Sequence, residues 1–208
     1  MEKIHIMKRW EIINRIIRSK GYEKYLEIGV RDGECFKEIS CCEKTGVDPN
    51  PTSTHTTHIM PSDDFFASLG ADKKFDIIFI DGLHIDWQVD KDIENSLNHL
   101  NEGGTIVLHD CNPPTEEHAL EYPIFTPPVN GSWNGTVYKS LVKLRLYKND
   151  CLLKTVDTDW GVGILTREES KTINVFPDEA VSWDFFDVNR KEIIGLITPE
   201  EFENLYKF

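Results

Sequence analysis

The sequence predicts an α/β protein built on a mostly parallel sheet. Three observations carry that expectation. Short apolar runs alternate with longer amphipathic segments, the order that builds parallel strands through right-handed crossovers. The clearest apolar runs are four to six residues long and stop at glycine or acid, as buried strands do. Two further runs near the end of that alternation adjoin across a turn, which suggests an antiparallel sheet edge.

The elements follow in chain order. Ile6, Met7, Trp10, Ile13, Ile16 and Ile17 recur at helical spacing over residues 6–19, and Gly21 stops that helix. Tyr25-Leu26-Glu27-Ile28 reads as a buried strand ending at Gly29, and residues 33–42 as a helix. Thr45 to Asp48 closes a second strand, stopped by Pro49 and Pro51, and residues 55–60 suggest a third, weak one. Residues 62–70 start a helix with Ser62 as N-cap and two acids behind it. Phe75 to Ile80 is the clearest strand, ending at Asp81-Gly82. Trp87, Val89, Ile93, Leu97 and Leu100 give residues 86–100 a helical stripe, which Gly103-Gly104 ends. Thr105 to Leu108 is the next strand, followed by His109-Asp110. Residues 112–135 hold five prolines and break the pattern, as active-site loops often do. Val137 to Leu146 reads as a helix, and residues 151–157 and 161–166 as the paired strands. The tail from Ala180 to Phe208 carries a helical pattern, with Pro199 opening a last helix. We expect one domain over residues 1–208: an N-terminal helix (1–21), a core (22–166) with a flap (112–135), and a helical tail (167–208), of which Trp183 to Phe208 packs on its own core or on a second subunit.

Composition limits the function classes. The 208 residues carry 23 Lys+Arg against 36 Asp+Glu, a formal charge of −13. That charge disfavours nucleic acid, whose phosphates need a basic face, and suits a cation. No apolar run approaches a membrane span, and the start Met1 to His5 lacks a signal peptide's apolar centre. A soluble, cytoplasmic protein with no membrane partner is expected; a homo-oligomer is left open. Five cysteines, none at CxxC spacing, indicate neither a disulfide framework nor a zinc site.

Ligands of an open parallel sheet bind at the carboxyl ends of its strands. The polar residues expected there are Glu27, Gly29 and Gly33, then Asp48, then Asp81 and His84, then His109 and Asp110. Gly29 allows close backbone approach to a ligand. Asp48, 19 residues later, is placed to accept ribose hydroxyls. A dinucleotide turn reads GxGxxG, and Arg31 and Glu34 stand at its second and third glycine positions. Asp81 could also simply cap the following helix, and His109 reads as a locally bonded residue.

Taken in order, four motifs resemble the class I S-adenosylmethionine-dependent methyltransferases. They are Tyr25-Leu26-Glu27-Ile28-Gly29-Val30-Arg31-Asp32-Gly33, Gly46-Val47-Asp48-Pro49, Phe75-Asp76-Ile77-Ile78-Phe79-Ile80-Asp81-Gly82-Leu83-His84, and Gly103-Gly104-Thr105-Ile106-Val107-Leu108-His109-Asp110. The subgroup they resemble is the methyltransferase domain 24 type, which includes metal-dependent sugar O-methyltransferases. The resemblance covers roughly residues 22–166. It implies a three-layer, Rossmann-like fold with a seven-stranded sheet whose last strand is antiparallel. It implies that Glu27 and Gly29, with Gly33 in the same turn, serve the cofactor's methionine end. Asp48 would bind the ribose, and Ser62 and Asp63 would border the adenine. Asp81 and Asp110 match metal-binding acids, Asp81 also facing the cofactor, and His84 matches the general base. Related enzymes usually have Asp or Asn directly after the acid matched by Asp110. Cys111 stands there, so Asn112, one residue late, is the remaining candidate ligand. Trp133 to Lys139 and Trp160 to Gly163 resemble later stretches of the family and are read as architecture.

The chemistry is coherent with that assignment. Methyl transfer is an in-line displacement, so the protein mainly aligns nucleophile and methyl. An alcohol is a weak nucleophile at pH 7, and Mg²⁺ held by carboxylates favours its deprotonation. His84 could take the proton. Tyr122, Phe125 and Trp133 of the flap could stack on a small hydroxylated acceptor, a sugar or glycosylated metabolite, or merely anchor the loop. Three alternatives stand beside this reading: an inactive cofactor-binding module, an NAD-dependent enzyme on a similar fold, and an iron site of Asp81, His84, His109 and Asp110.

Overall fold

The computed structural model describes residues 6–127, 129–173 and 181–207. Of the residues discussed above, Met1 to His5, Pro128, Ala180 and Phe208 lie outside that set. Helices are α1 (Arg9–Lys20), α2 (Glu34–Glu38), α3 (Ser62–Ser68), α4 (Asp86–Asn98), α5 (Val137–Tyr147), α6 (Trp183–Ile193) and α7 (Pro199–Leu205). Strands are β1 (Lys24–Ile28), β2 (Glu43–Val47), β3 (Phe75–Ile80), β4 (Leu100–Leu108), β5 (Leu152–Val156), β6 (Val162–Thr166) and β7 (Leu196–Ile197).

The seven strands form one sheet in the order β2-β1-β3-β4-β6-β5-β7. The first four are mutually parallel, and β6 runs antiparallel to both its neighbours. β7 pairs parallel with β5. The expected count of seven therefore holds with different membership. Residues 55–60 do not form a strand; they contribute one parallel bridge, Val47 with His58. The seventh strand is the two-residue β7 in the tail.

Strand alternation explains the three layers. Tyr25, Ile77, Phe79, Val107 and Ile164 point to one face, where Ile12, Ile13 and Ile16 of α1, Phe36 of α2 and Phe202 of α7 cover them. Leu26, Ile28, Ile78, Ile80, Ile106 and Leu108 point to the other, against Val89 and Ile93 of α4, Leu141 of α5 and Phe186 of α6. A parallel sheet covered on both faces needs apolar residues at successive positions, which is why Phe75 to Ile80 shows no alternation. The tail thus packs on its own core through Phe186 and Phe202, both fully buried.

Several boundaries move for local reasons. Helix α2 ends at Glu38, because Ile39 turns extended and Lys44 Nζ satisfies the carbonyls of Phe36 and Ile39. Ser62 is the first helical residue of α3 rather than its N-cap, which is Pro61; no side chain caps that end. Gly103-Gly104 does not terminate a helix. Helix α4 stops at Asn98, β4 already starts at Leu100, and its register with β3 shifts between Phe75 and Ile77. There a Cβ on Gly104 would lie 2.8 Å from the Asp76 carbonyl oxygen. Among the described residues, no helix is long and apolar enough to cross a membrane.

Candidate active site

Strand order reverses around β1: the chain leaves β1 for β2 on one side and reaches β3 on the other. A cavity of about 950 Å³ opens at this carboxyl-end switch point, a size suited to a ligand of nucleoside dimensions. Its lining includes Glu27, Gly29, Asp48, Ser62, Asp63, Asp81, His84 and Asp110. Of the site residues singled out from sequence, Gly33 and Asn112 are not part of this wall.

The β1 side is one compact turn. Gly29 has φ +92°, and a Cβ there would sit 2.0 Å from the Asp81 carbonyl oxygen. Only glycine lets the β1 turn lie against the β3 turn. Gly33, at φ +77°, is the N-cap of α2 and does not line the cavity. Asp48 accepts the backbone N–H groups of Arg31 and Asn50, both at 2.7 Å, so its carboxylate is aimed before any ligand arrives. Glu27 is buried and accepts a hydrogen bond from the Tyr25 hydroxyl. Burial pushes its carboxyl up to about 8, against the opposing effect of that hydrogen bond. On the far wall, Ser62 Oγ and Asp63 share Gln88 Nε2, and Lys91 pairs with Asp63 at 2.9 Å.

The β3 and β4 side gathers acids and imidazoles. The carboxylates of Asp81 and Asp110 and a ring nitrogen of His84 all lie within 4.8 Å of one another, a donor set that fits a divalent cation. Asp81 does not cap α4, whose N-cap is Ile85. His84 Nε2 lies 3.3 Å from Asp81 Oδ1, and its Nδ1 lies 3.3 Å from the Trp133 carbonyl. Burial alone would lower the His84 pKa, but the bond to Asp81 and the charge of Asp110 raise it. His109 sits between the acids, its Nδ1 3.3 Å from Asp81 and 3.2 Å from Asp110. Burial disfavours its charge, yet the two acids push it up to about 10. Burial likewise works against ionisation of Asp81, but the charge of His109 holds that carboxyl well below its usual range.

The Asn112 carboxamide donates to Asp157 at 3.0 Å and accepts from Arg190 at 2.7 Å, and Asn112 does not line the cavity. Cys111 is buried, with its Sγ directed at the Leu108 and His109 carbonyls. Asn134, fully buried, donates to Asp110 Oδ1 at 2.9 Å. It belongs to Trp133 to Lys139, read from sequence as architecture. Trp133 stacks on His84 at 5.1 Å between centroids, and a Cβ on Gly135 would lie 1.9 Å from the His84 carbonyl oxygen. Of the flap aromatics, Trp133 lines the cavity, whereas Tyr122 and Phe125 are 68% and 79% exposed.

Among the wall residues that sequence reasoning missed are Arg9 and Asp159. Arg9 opens α1. Asp159 lies on the β5–β6 turn, where Asp159, Trp160 and Gly161 all have positive φ, at 45°, 67° and 87°. Asp159 accepts Arg9 N–H at 2.9 Å and Arg9 Nη1 at 3.1 Å across 150 residues of chain. A separation that long leaves no local signal. The left-handed run has one: two non-glycine residues before Gly161 sit in a costly conformation that the surrounding structure must hold.

Residues 30–111 match the model of a methyltransferase domain family. No curated protein is similar enough to match. Solved structures are similar in fold at low identity. One is a putative caffeoyl-CoA O-methyltransferase of Staphylococcus aureus, at 18% identity, TM-score 0.54, covering 78% of this chain and 85% of that one. Another is a methyltransferase of Podospora anserina with S-adenosylhomocysteine bound, at 16%, TM-score 0.54, covering 77% of each chain. A third is the O-methyltransferase of tomaymycin synthesis from Streptomyces achromogenes in complex with S-adenosylmethionine, at 10%, TM-score 0.51, covering 81% and 83%. Over residues 30–111 the chain is thus similar to a methyltransferase domain, and it shares the fold of these solved methyltransferases.

Proposed function

We propose that the protein is an O-methyltransferase that moves the methyl group of S-adenosylmethionine to a hydroxyl of a small acceptor, such as a sugar or glycosylated metabolite, with a divalent cation assisting. The observation that carries this reading is convergence. Glu27 and Asp48 face the same cavity as Asp81, His84 and Asp110, at the switch point of the sheet. The residues present fit the cofactor: a buried carboxyl without a cationic partner suits an ammonium, and a pre-aimed carboxylate suits a diol. S-adenosylmethionine, when bound, supplies an electrophilic sulfonium methyl. The likeness in fold to proteins solved with that cofactor or its product supports the choice over NAD.

Each side chain then has a definite task. Glu27 holds the ammonium, and Asp48 holds the ribose hydroxyls. Asp81 and Asp110 hold the cation, Mg²⁺ being the metal that prefers such oxygens. That cation would lower the pKa of an acceptor hydroxyl. His84, held by Asp81 at Nε2 and by the Trp133 carbonyl at Nδ1, would receive the hydroxyl proton in its neutral form. Trp133 fixes the ring by stacking, and with Trp160 at the cavity mouth offers a face for an acceptor ring.

Calorimetry with S-adenosylhomocysteine tests the core of the reading: micromolar binding is expected, and none at millimolar ligand overturns it. Transfer of labelled methyl to hydroxylated acceptors, abolished by EDTA and restored by Mg²⁺, is expected for the metal. Activity unchanged by EDTA removes it. His84→Ala should lose transfer yet keep Mg²⁺ binding; losing both would make His84 a ligand.

A further inference from the structure

Arg9 has donors to spare at the cofactor wall. Its guanidinium bonds Asp159 Oδ2 through Nη1 at 3.1 Å and Glu34 Oε2 through Nη2 at 2.9 Å. An arginine carries five N–H donors, so three remain. The Nε is buried, has no hydrogen-bond partner, and stands 3.7 Å from Asp81 Oδ2. The side chain is 14% exposed and lines the cavity together with Glu27. Arg9 is close enough for its charge to be felt at Glu27, yet no ion pair joins the two among the described residues. A buried carboxyl and a buried guanidinium therefore face one cavity without meeting.

That gap suits one kind of group. An α-amino acid carries a cation and an anion on the same carbon, and it would pair with both walls at once. Resting on the cofactor reading above, we propose that Arg9 binds the α-carboxylate of the cofactor's methionine end while Glu27 binds its ammonium. Asp159 is the positioning residue. It takes the Arg9 backbone N–H and Nη1 and so aims the rest of the guanidinium into the cavity. The left-handed run Asp159-Trp160-Gly161 is the local cost of placing that carboxylate, only 3% exposed, beneath the start of α1. The first turn of α1 is thereby part of the cofactor site, which the motifs of residues 25–110 do not reveal.

The test compares S-adenosylhomocysteine with its decarboxylated counterpart, which keeps the thioether and ammonium and lacks the carboxylate. Affinities are read by calorimetry. Wild type should bind the decarboxylated analogue roughly 10- to 100-fold more weakly, the range of a charge-assisted bond. Arg9→Met should weaken S-adenosylhomocysteine by a similar factor and leave the decarboxylated analogue within about twofold, since the lost pair is absent there. Arg9→Lys, which keeps the charge without the fork, should fall between, and it carries the test if Arg9→Met does not fold. Equal weakening of both ligands, or of neither, overturns the proposal by making Arg9 a structural counter-ion. Wild type binding neither ligand would instead overturn the methyltransferase reading itself.

Discussion

The two halves of the cavity are built differently. The β1–β2 half comes from one short stretch: Glu27, Gly29 and Asp48 lie within 22 residues, and backbone N–H groups aim Asp48. The β3–β4 half is assembled from far apart. Asp81 and Asp110 come from two strands, Asn134 and Trp133 from the flap, Asp159 from the hairpin turn, and Arg9 from the first helix. A contiguous half leaves a motif in the sequence. An assembled half leaves single polar residues whose meaning depends on the fold around them.

The largest expected effect comes from equal steric insults to the two halves. Gly29→Ala and Gly135→Ala would each push a Cβ to about 2 Å from a carbonyl oxygen, that of Asp81 and that of His84 respectively. Gly29 joins two central strands that cannot separate without opening the core. Its variant should lose about 4 kcal/mol or fail to fold, at the severe end of single substitutions. The flap can shift, so Gly135→Ala should cost about 1–3 kcal/mol and mainly displace His84. Urea denaturation of both variants checks the order. Equal losses would mean the flap is as much a part of the core as β1.

Ligand affinities should separate the halves next. Asp48→Ala should weaken S-adenosylhomocysteine about 100-fold, as loss of paired bonds to a diol implies, and leave Mn²⁺ binding unchanged. Asp110→Asn should do the reverse, losing Mn²⁺ and keeping cofactor affinity within about threefold. Calorimetry with each ligand alone reads both. Cross-effects of similar size would show one coupled site rather than two halves.

The same division explains what was legible in the sequence. The parallel strands, the hairpin, and the candidates Glu27, Asp48, Asp81, His84 and Asp110 followed from apolar runs ending in polar residues, and all five line the cavity. The expectation for Asn112 rested on sequence adjacency to Asp110, which says nothing of direction. The chain turns after Cys111, and the carboxamide leaves toward Asp157 and Arg190. Residues 55–60 failed as a strand because they lie beside β2 at the sheet edge, where a single bridge, Val47 to His58, suffices. Asn134 and Arg9 were invisible because the carboxylates they meet, Asp110 and Asp159, are 24 and 150 residues away.

The pH dependence of cofactor affinity isolates Glu27. Its carboxyl is held up to about 8 by burial, so below that pH an incoming ammonium must displace a proton. Affinity for S-adenosylhomocysteine should rise by up to about tenfold per unit as pH approaches 8, then level off. Glu27→Gln should bind more weakly and show no such rise. A flat wild-type profile between pH 6 and about 8 would place the ammonium elsewhere.

The smallest effect is on stability, and it weighs the two halves together. With no cation on Asp81 and Asp110, those acids raise His109 to about 10 against 6.5 for a free imidazole, so its contribution is complete below 6.5 and is lost as pH rises through 10. Glu27, near 8 against 4.5, has the same sign: its proton favours the folded state, and that advantage fades as pH climbs through 8. Asp81 and Asp159 have the opposite sign, because their lowered values stabilise above 3.8 and fail as pH falls. Thermal stability should therefore peak on the acid side of neutrality and decline by roughly 5 °C between pH 7 and about 10. His109→Gln should flatten the upper part of that decline and leave the part near pH 8, which belongs to Glu27. A decline that persists unchanged in His109→Gln would show that the imidazolium between Asp81 and Asp110 does not hold the assembled half together.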